Sequence, residues 1–234
     1  MRKIRECFFL KRDFDFESLP EEVQSDFSDQ MIVKHFKRGQ TIFTEGAFPS
    51  GIYFVKKGKI KKFKTLNSGK EQIIYLCSEG EMLGYAAFLG EERYHDSAAA
   101  ITEALIGYVS KERLLLLLDK HQALGSLLVK KLSHEFGVMV NFIATFTKKS
   151  VRERVALSLL ILNENFREDR NEANEIEIIL TREDFANIVG IAMETLVRIL
   201  SDFAKEGLIV KKGRKIILKK PLELFRISDL TDTF

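Results

Sequence analysis

The first hydrophobic pattern in this chain is typical of short strands. Between residues 36 and 109, short apolar runs are separated by turn signals such as Asn67-Ser68-Gly69. Ile60 and Phe63 stand among lysines, as apolar residues do in a strand with one buried face. Regularly spaced short strands predict an antiparallel β-sandwich or barrel-like roll. The glycine-containing stretch 79–84 interrupts this pattern, and strand character resumes at residue 98.

The spacing changes to that of a long helix after His121. Large apolar residues then recur at steps of three and four, which is the a/d spacing of a coiled-coil seam. An ordinary buried amphipathic helix shows similar spacing, so that alternative stays open. We expect a dimer seam, with Gly137 permitting close approach of two chains. The predicted seam residues are Val129, Leu132, Phe136, Met139, Ile143 and Phe146.

The third pattern, in residues 181–220, combines two short helices with a hairpin. Thr181 and Asp184 begin a helix with an approximate capping box, and Gly190 supplies a sharp turn. A second helix over 193–206 buries one apolar face, and two short apolar runs then flank the basic segment 211–215. Helix, glycine turn, helix and hairpin predict a winged helix-turn-helix, which reads the major groove of DNA.

Two charged residues near the start of that second helix are candidates for base contacts. Glu194 and Arg198 lie one helical turn apart on the face opposite the apolar one. A carboxylate accepts from cytosine N4, and a guanidinium binds guanine O6 and N7. On an arbitrary helix the two would form only an exposed salt bridge, and that alternative remains.

The same forty residues resemble the DNA-binding domain of the Crp–Fnr family of bacterial transcription regulators. The residues that match its motif are Thr181, Arg182, Gly190, Glu194, Thr195, Arg198 and Leu200. The resemblance implies a homodimer on a pseudo-palindromic site in double-stranded DNA, with RNA polymerase as a further partner. The predicted DNA contacts are Arg182, Met193, Glu194, Thr195, Val197, Arg198, Lys212 and Arg214.

The first half of the chain resembles the cyclic-nucleotide-binding β-roll of the same family. Segment 80–98 stands where that family has its phosphate-binding cassette. Members that bind cyclic AMP carry a Glu and an Arg where this chain has Tyr85 and Asp96, so cyclic AMP is not the expected effector. A shift of a few residues would instead bring Arg93 to the phosphate. The expected pocket, either retuned or filled by side chains, contains Met82, Leu83, Gly84, Tyr85, Asp96, Ser97, Ala98, Met139 and Val140.

Charge and cysteine content limit the ligands and cofactors that we expect this chain to bind. The net charge is only +3, but residues 181–220 hold nine Lys and Arg against five Asp and Glu, enough for phosphate contacts on one face. Two distant cysteines, Cys7 and Cys77, speak against a disulfide scaffold, a zinc site or an iron–sulfur cluster. Haem remains an alternative cofactor through the resemblance to haem-binding relatives. Its conceivable axial ligands are Cys77, Met82, His95, His134 and Met139.

These patterns predict an α+β chain with an N-terminal antiparallel β-roll, a long central dimerisation helix and a C-terminal winged helix-turn-helix. The expected boundaries are 1–120 for the roll, 121–147 for the helix, 148–220 for the DNA-binding domain and 221–234 for an apolar tail that docks on a neighbour. The polar stretch 163–174 predicts an exposed connection, and a capping box begins at Ser150.

The predicted function is a DNA-binding transcription regulator with an unidentified effector. Two alternatives stay open, namely a haem-based gas or redox sensor of the same family and a nucleotide-binding adaptor with a degenerate DNA domain. An enzyme is not expected, because we find no nucleophile–base pair, metal-spaced cluster or P-loop. With no apolar run of membrane-spanning length and no signal-peptide core, we expect a cytoplasmic protein without a membrane partner.

Overall fold

The computed structural model of the chain describes residues 2–9, 18–167 and 176–230, and these residues form two compact units. One unit contains residues 18–137, and the other contains residues 2–9 together with 138–230. The predicted α+β class is confirmed, with an antiparallel N-terminal unit, a long helix and a C-terminal helix-turn-helix.

The first unit is built on two antiparallel four-stranded sheets. One sheet has the strand order β1-β8-β3-β6, and the other has the order β2-β7-β4-β5. The strands are β1 (Ile32–Phe36), β2 (Thr41–Phe43), β3 (Gly51–Lys57), β4 (Ile60–Thr65), β5 (Glu71–Cys77), β6 (Met82–Leu83), β7 (Ser97–Ala100) and β8 (Ala104–Ser110). The predicted interruption at 79–84 contains one of these strands, because Met82 pairs with Phe54 of β3.

Three helices cover this roll, and a fourth leaves it. Leu114 and Leu117 are buried in a core cluster with Phe27, Ile52 and Phe54. The helix that contains them therefore packs against the roll through the face that carries these two leucines, because removal of apolar surface from water favours burial. The helices are α2 (Glu21–Asp29), α3 (Tyr85–Leu89), α4 (Lys111–Lys120) and the long α5 (Gln122–Phe146).

The second unit contains the helix-turn-helix and a small sheet of order β10-β11-β9. Its first long helix begins with the predicted capping box, since Ser150 N donates to Glu153 Oε2 at 3.0 Å and Glu153 N donates to Ser150 Oγ at 3.4 Å. The remaining elements are α1 (Arg2–Phe8), α6 (Val151–Arg167), β9 (Ile178–Ile179), α7 (Arg182–Val189), α8 (Met193–Lys205), β10 (Ile209–Lys212), β11 (Lys215–Leu218) and α9 (Pro221–Ile227).

Both ends of the described chain pack within this second unit. Leu224 of α9 and the following Leu230 are buried, so the apolar tail docks on its own unit and α9 lies against α6. Helix α1 also packs on α6, whereas the sequence-based boundary grouped it with the β-roll.

The expected exposed connection at 163–174 is wrong for its first part. Helix α6 continues to Arg167, and Asn163, Glu164 and Asn165 are buried in spite of their polarity. Glu164 is paired there with Arg5 of α1, which compensates the cost of burying its charge. Residues 168–174 of that stretch lie outside the described residues.

Candidate nucleic-acid interface and pocket

Two local devices set the geometry of the helix-turn-helix. Thr181 precedes α7, and its Oγ1 accepts from Asp184 N at 2.9 Å while donating to Asp184 Oδ2 at 2.6 Å. Gly190 ends α7 with a left-handed φ of 71°, a conformation that costs glycine little because it has no Cβ. The predicted cap and turn are therefore present.

Helix α8 separates an apolar face from a free face, as its spacing predicted. Leu196, Leu200 and Phe203 are buried against the rest of the domain, with Ile199 beside them. The opposite face exposes four of the predicted contact residues, and Thr195 is half-buried at its edge. These exposed residues are Met193, Glu194, Val197 and Arg198.

Glu194 and Arg198 have no partner among the residues that the structure describes. Within residues 2–9, 18–167 and 176–230, neither side chain makes a hydrogen bond or ion pair, so the alternative of an exposed salt bridge between them is not realised. Both groups project from the exposed start of a helix that follows a sharp turn. An unpaired carboxylate and guanidinium in that place are free to bind base edges.

The wing is a hairpin with a two-residue turn, and only some of its cations contact other groups of the protein. Gly213, with a φ of 58°, forms the turn with Arg214, and Lys212 pairs with Lys215 across the strands. Lys211 Nζ donates to Ser201 Oγ of α8 at 2.8 Å, and Lys215 Nζ lies 2.8 Å from Glu177 Oε2. Lys212 and Arg214 are exposed and unpaired in the described part of the chain, so they can meet phosphate.

Arg182 makes a hydrogen bond to the turn of the wing. Its Nη2 donates to the carbonyl oxygen of Gly213 at 2.8 Å, which links the start of α7 to the tip of the hairpin. Burial lowers the pKa of the Arg182 guanidinium, although a guanidinium stays charged at any physiological pH. The predicted DNA contact at Arg182 thus has a structural role in aligning the wing, whether or not it also meets DNA.

The pocket contains a cation that sequence reasoning missed. Lys62 Nζ lies 3.2 Å from Asp96 Oδ2, and both side chains are largely buried. Lys62 lies on the same face of β4 as the buried Ile60 two residues earlier, so strand alternation turns it inward, and a register shift between Lys62 and Phe63 lets Phe63 be buried as well. Burial opposes the charge of Lys62, but Glu135 and Asp96 outweigh it and raise the Lys62 pKa.

Tyr85 and Glu135 complete this cluster. Burial first, and then the nearby Glu135 carboxylate, raise the pKa of the Tyr85 hydroxyl well above its ordinary value. The Tyr85 hydroxyl is buried without a hydrogen-bond partner among the residues described. The predicted pocket residue Asp96 therefore shares its site with Lys62 from β4 and Glu135 from α5, two residues that the cassette sequence does not reveal.

The other predicted pocket residues occupy varied surroundings. Met82, Leu83 and Ala98 are buried, and Gly84 takes a φ of 80° immediately before α3. Ser97 Oγ accepts from Glu45 N at 2.9 Å, which holds the loop after β2. On α5, which continues into the second unit, Met139 is half-buried and Val140 is exposed.

Arg93, the alternative phosphate ligand, is engaged elsewhere. Its Nη1 donates to the carbonyl oxygen of Gly46 at 2.8 Å, and its guanidinium stacks over Phe48 with 3.9 Å to the ring centroid. These contacts keep Arg93 on an exposed loop and give no support to the shifted alignment of the cassette.

No site for a metal or haem emerges from the described residues. His95 is exposed and pairs with Glu92 at 2.8 Å, and Cys77 is buried with a pKa raised by that burial. The one group of acidic and histidine side chains with ligand spacing in the described ranges is Glu22, Asp26 and His121. Asp26 is already bound there, since its Oδ2 lies 2.5 Å from Lys120 Nζ and 2.7 Å from His121 Nε2.

Two family profiles match successive parts of the chain. The profile described as a cyclic nucleotide-binding domain covers residues 33–121, and the Crp-like helix-turn-helix domain covers residues 153–227. The fumarate and nitrate reduction regulatory protein of Vibrio cholerae is 28% identical over 213 residues, spanning 90% of this chain and 84% of the relative. The transcriptional activator protein Anr of Pseudomonas protegens is 28% identical over 192 residues, or 82% and 78% of the two chains.

Solved structures share the fold at lower identity. The c-di-GMP responsive regulator CLP of Xanthomonas campestris aligns with a TM-score of 0.75 at 17% identity, covering 85% of this chain and 99% of that one. FixK2 of Bradyrhizobium japonicum aligns with a TM-score of 0.71 at 20% identity, covering 84% and 96%. The relatives are transcription regulators, so the expectation that this chain is not an enzyme is confirmed. Among the described helices, none has the length and apolar character needed to cross a membrane.

Proposed function

Since the chain belongs to the Crp–Fnr family of DNA-binding transcription regulators, we propose that it binds a pseudo-palindromic DNA site as a homodimer, with α8 as the recognition helix. The observation that carries this proposal is the pair of unengaged side chains, Glu194 and Arg198, on the exposed face of α8. In a major groove they read a G·C pair, the carboxylate at cytosine and the guanidinium at guanine.

The wing supplies contacts that position the protein without reading sequence. Lys212 and Arg214 are the unpaired cations of the hairpin, and each neutralises one phosphate when the wing lies on the backbone. Arg182 and Lys211 align the hairpin through Gly213 and Ser201. Phosphate affinity and base discrimination therefore come from different residues of one domain.

The homodimer rests on the exposed apolar residues of α5. Val129, Leu132, Phe136 and Ile143 are all exposed, and they follow the predicted seam. Exposed apolar residues in a row at heptad spacing are stabilised when a second helix covers them. Two recognition helices related by a twofold axis then fit half-sites whose centres lie about one helical turn, roughly 34–36 Å, apart. As a family member, the dimer acts with RNA polymerase at its promoters.

The pocket of the β-roll does not take cyclic AMP in this proposal. Lys62, the cation nearest the expected phosphate position, is paired with Asp96 and faces Glu135. The cluster holds two carboxylates for one ammonium group, so an added anion is repelled unless the Lys62–Asp96 pair separates.

Selection of bound sequences from a random DNA pool tests the proposal. The expected outcome is an inverted repeat, protected as one footprint, with two chains per DNA duplex in sedimentation equilibrium. A selected sequence without twofold symmetry, or one chain per duplex, would contradict the homodimer. Selection of no sequence at all would contradict base reading by α8.

A further inference from the structure

Helix α1 contacts both α5 and α6, the two helices that residues 147–150 join. Asn141, in the last turns of α5, donates through Nδ2 to the carbonyl oxygen of Cys7 at 3.2 Å. The Phe8 ring packs edge-on against Phe142 with 5.1 Å between centroids. Ile4, together with Phe8, is fully buried, so these contacts belong to the interior of the unit and not to its surface.

The same helix holds α6 through an ion pair. Arg5 Nε lies 2.8 Å from Glu164 Oε2, and the Glu164 side chain is only 1% exposed. A buried carboxylate is stabilised by a cation that hydrogen-bonds to it, and its loss leaves an uncompensated charge in the interior. Arg5 therefore has a larger effect than an exposed salt bridge would have.

The short connection between α5 and α6 is the part of this arrangement in which backbone rotation is easiest. Residues 147–150 join two helices whose adjoining ends are both capped, since Thr147 Oγ1 donates to the carbonyl oxygen of Ile143 at 2.7 Å and Ser150 begins α6 in a capping box. Rotation of α6 relative to the end of α5 needs only a few backbone dihedrals in this short segment. Any third element that touches both helices limits that rotation.

We infer that α1 is a clamp that fixes the angle between residues 138–146 of α5 and helix α6, with Arg5 as its positioning residue. In the dimer, Ile143 belongs to the seam and α6 carries the DNA-reading domain, so the clamp sets how each recognition helix is presented. The inference goes beyond the proposed function, and it assigns a role to residues 2–9 that contact neither DNA nor the pocket.

The contact pattern also explains the buried polar end of α6. Glu164 and its neighbours Asn163 and Asn165 would be an unfavourable choice for a helix that packed only against apolar partners. A carboxylate at that place favours one register of α1, because that register brings Arg5 to Glu164 and adds a cation from another helix to the one that Arg167 supplies from α6.

Arg5→Ala in the full-length protein tests the clamp, with Arg167→Ala as its matched control. Arg167 Nη2 lies 3.3 Å from the other oxygen of Glu164, but it belongs to α6 itself and makes no link between helices. Both variants remove one cation from the same carboxylate, so only the cross-helix tie distinguishes them. Hydrogen exchange of amides 141–150 and affinity for the selected palindrome are measured, with sedimentation to confirm an unchanged oligomer.

For Arg5→Ala we expect faster exchange across residues 141–150 and DNA binding weakened about three- to thirtyfold, the range produced by changes remote from a ligand. Arg167→Ala should alter neither by more than about twofold, because Arg167 belongs to α6 and its loss removes no contact between helices. Asn141→Ala, which removes a second contact to α1, should act in the same direction as Arg5→Ala.

Equal effects of Arg5→Ala and Arg167→Ala, or unchanged exchange in Arg5→Ala, would overturn the clamp. Faster exchange with unchanged DNA affinity would also overturn it as a positioning device. If the wild-type protein selected no palindromic DNA, the proposed function would fail, whereas the exchange comparison would still decide whether α1 restrains the connection between α5 and α6.

Discussion

A charged side chain is best placed to bind DNA if no other group of the protein already contacts it. Few of the described charged side chains in this domain meet that condition. Lys211, Lys215 and Arg182 are engaged by Ser201, Glu177 and Gly213. Breaking such contacts to bind DNA would cost part of the energy gained. The unengaged cations Arg198, Lys212 and Arg214 are therefore the best candidates for direct contact, with Arg198 alone on the recognition helix.

Arg198→Ala should reduce affinity for the selected site by roughly 1–3 kcal/mol per half-site and relax the preference at one G·C pair. The reason is that a bidentate contact to guanine O6 and N7 is lost and no other base offers the same pair of acceptors. Binding isotherms on the parent site and on its three substitutions at that pair provide the measurement.

Arg214→Ala is the matched control for this prediction. Its guanidinium lies on the wing, so its loss should weaken all sequences alike and lower the slope of log affinity against log salt by about one. If Arg198→Ala behaved in that way too, Arg198 would be a phosphate contact, and base reading by this residue would be wrong.

The residues on the exposed face of α8 were predictable from sequence, whereas those of the pocket were only partly so. Leu196, Leu200 and Phe203 recur at helical spacing, and this alone fixes which face of α8 carries Glu194 and Arg198. Lys62 of β4 pairs with Asp96, 34 residues later in the chain, and Glu135 acts on Lys62 from helix α5, 73 residues away. A local pattern contains neither fact.

Helix α5 is the element on which the oligomeric state depends. Two of its seam residues, Phe136 and Ile143, are 72% and 67% exposed in the isolated chain, so they contribute little to the fold of one subunit. Met139 and Phe146 are half-buried, and a change there would affect subunit stability as well. Phe136 and Ile143 are therefore the better positions for a test of the seam.

The double variant Phe136→Lys, Ile143→Lys should sediment as a monomer at concentrations where the wild type is a dimer. Like charges would face each other across an apolar interface, which is strongly unfavourable. Ala144→Lys is the control, because residue 144 is exposed on the same helix but is not one of the predicted seam positions. An unchanged dimer in the double variant, with far-ultraviolet circular dichroism preserved, would exclude this seam.

A second test at the level of elements concerns how α2 is held to the end of α4. The Asp26 carboxylate accepts from Lys120, and His121 also contacts it. These hydrogen bonds, Lys120 first and His121 second, lower the pKa of Asp26 below its ordinary value of 3.8. The stabilisation is fully present above pH 3.8 and is lost as the pH falls through the lower folded-state pKa.

Asp26→Asn should therefore lower the urea midpoint at pH 7, and the difference from wild type should shrink as the pH falls through the lowered folded-state pKa, below which Asp26 is protonated in both states. Asp29→Asn, on the same helix but outside the Lys120 and His121 contact, should show little change. A difference that persisted unchanged at low pH would mean that Asp26 acts by packing and not by charge.

Elements with a regular pattern were predicted more closely than elements whose ends depend on distant partners. The boundaries of α7, α8 and the wing follow from caps, glycines and apolar spacing within forty residues. The end of α6 was missed because Asn163, Glu164 and Asn165 look solvated by composition, and only docking of α1 with Arg5 makes their burial favourable. Such a contact spans more than 150 residues and has no local signature.

In the whole molecule, the β-roll unit combines the framework of a cyclic nucleotide-binding domain with a pocket that contains its own ion pair. Gly84 still precedes α3 in the left-handed conformation that an L-residue with a Cβ seldom adopts. The pocket contains the charged groups Lys62, Asp96 and Glu135, and its ammonium group is already paired with Asp96. A paired cation gains less from a ligand, because ligand binding must first break the existing pair.

Cyclic AMP and cyclic GMP should therefore give no saturable heat with the full-length protein at micromolar concentration. The phosphate brings one negative charge to a cluster that already has two carboxylates, and the nearest cation is held by Asp96. Losing a charge-assisted contact of that kind removes several kcal/mol, and each 1.4 kcal/mol is about a tenfold loss of affinity. Titration calorimetry of the wild type, Lys62→Met and Arg93→Ala makes the comparison.

If cyclic nucleotides do bind, the two variants show which cation contacts the phosphate. Micromolar binding that disappears in Arg93→Ala would mean that Arg93 leaves Gly46 and Phe48 to meet the phosphate, so the cassette alignment would shift. Micromolar binding that disappears in Lys62→Met would mean that Lys62 exchanges Asp96 for the ligand, which makes Lys62 the phosphate-binding cation of this protein. Because the Lys62–Glu135 contact reaches α5, the second result would also connect ligand binding to the dimer helix.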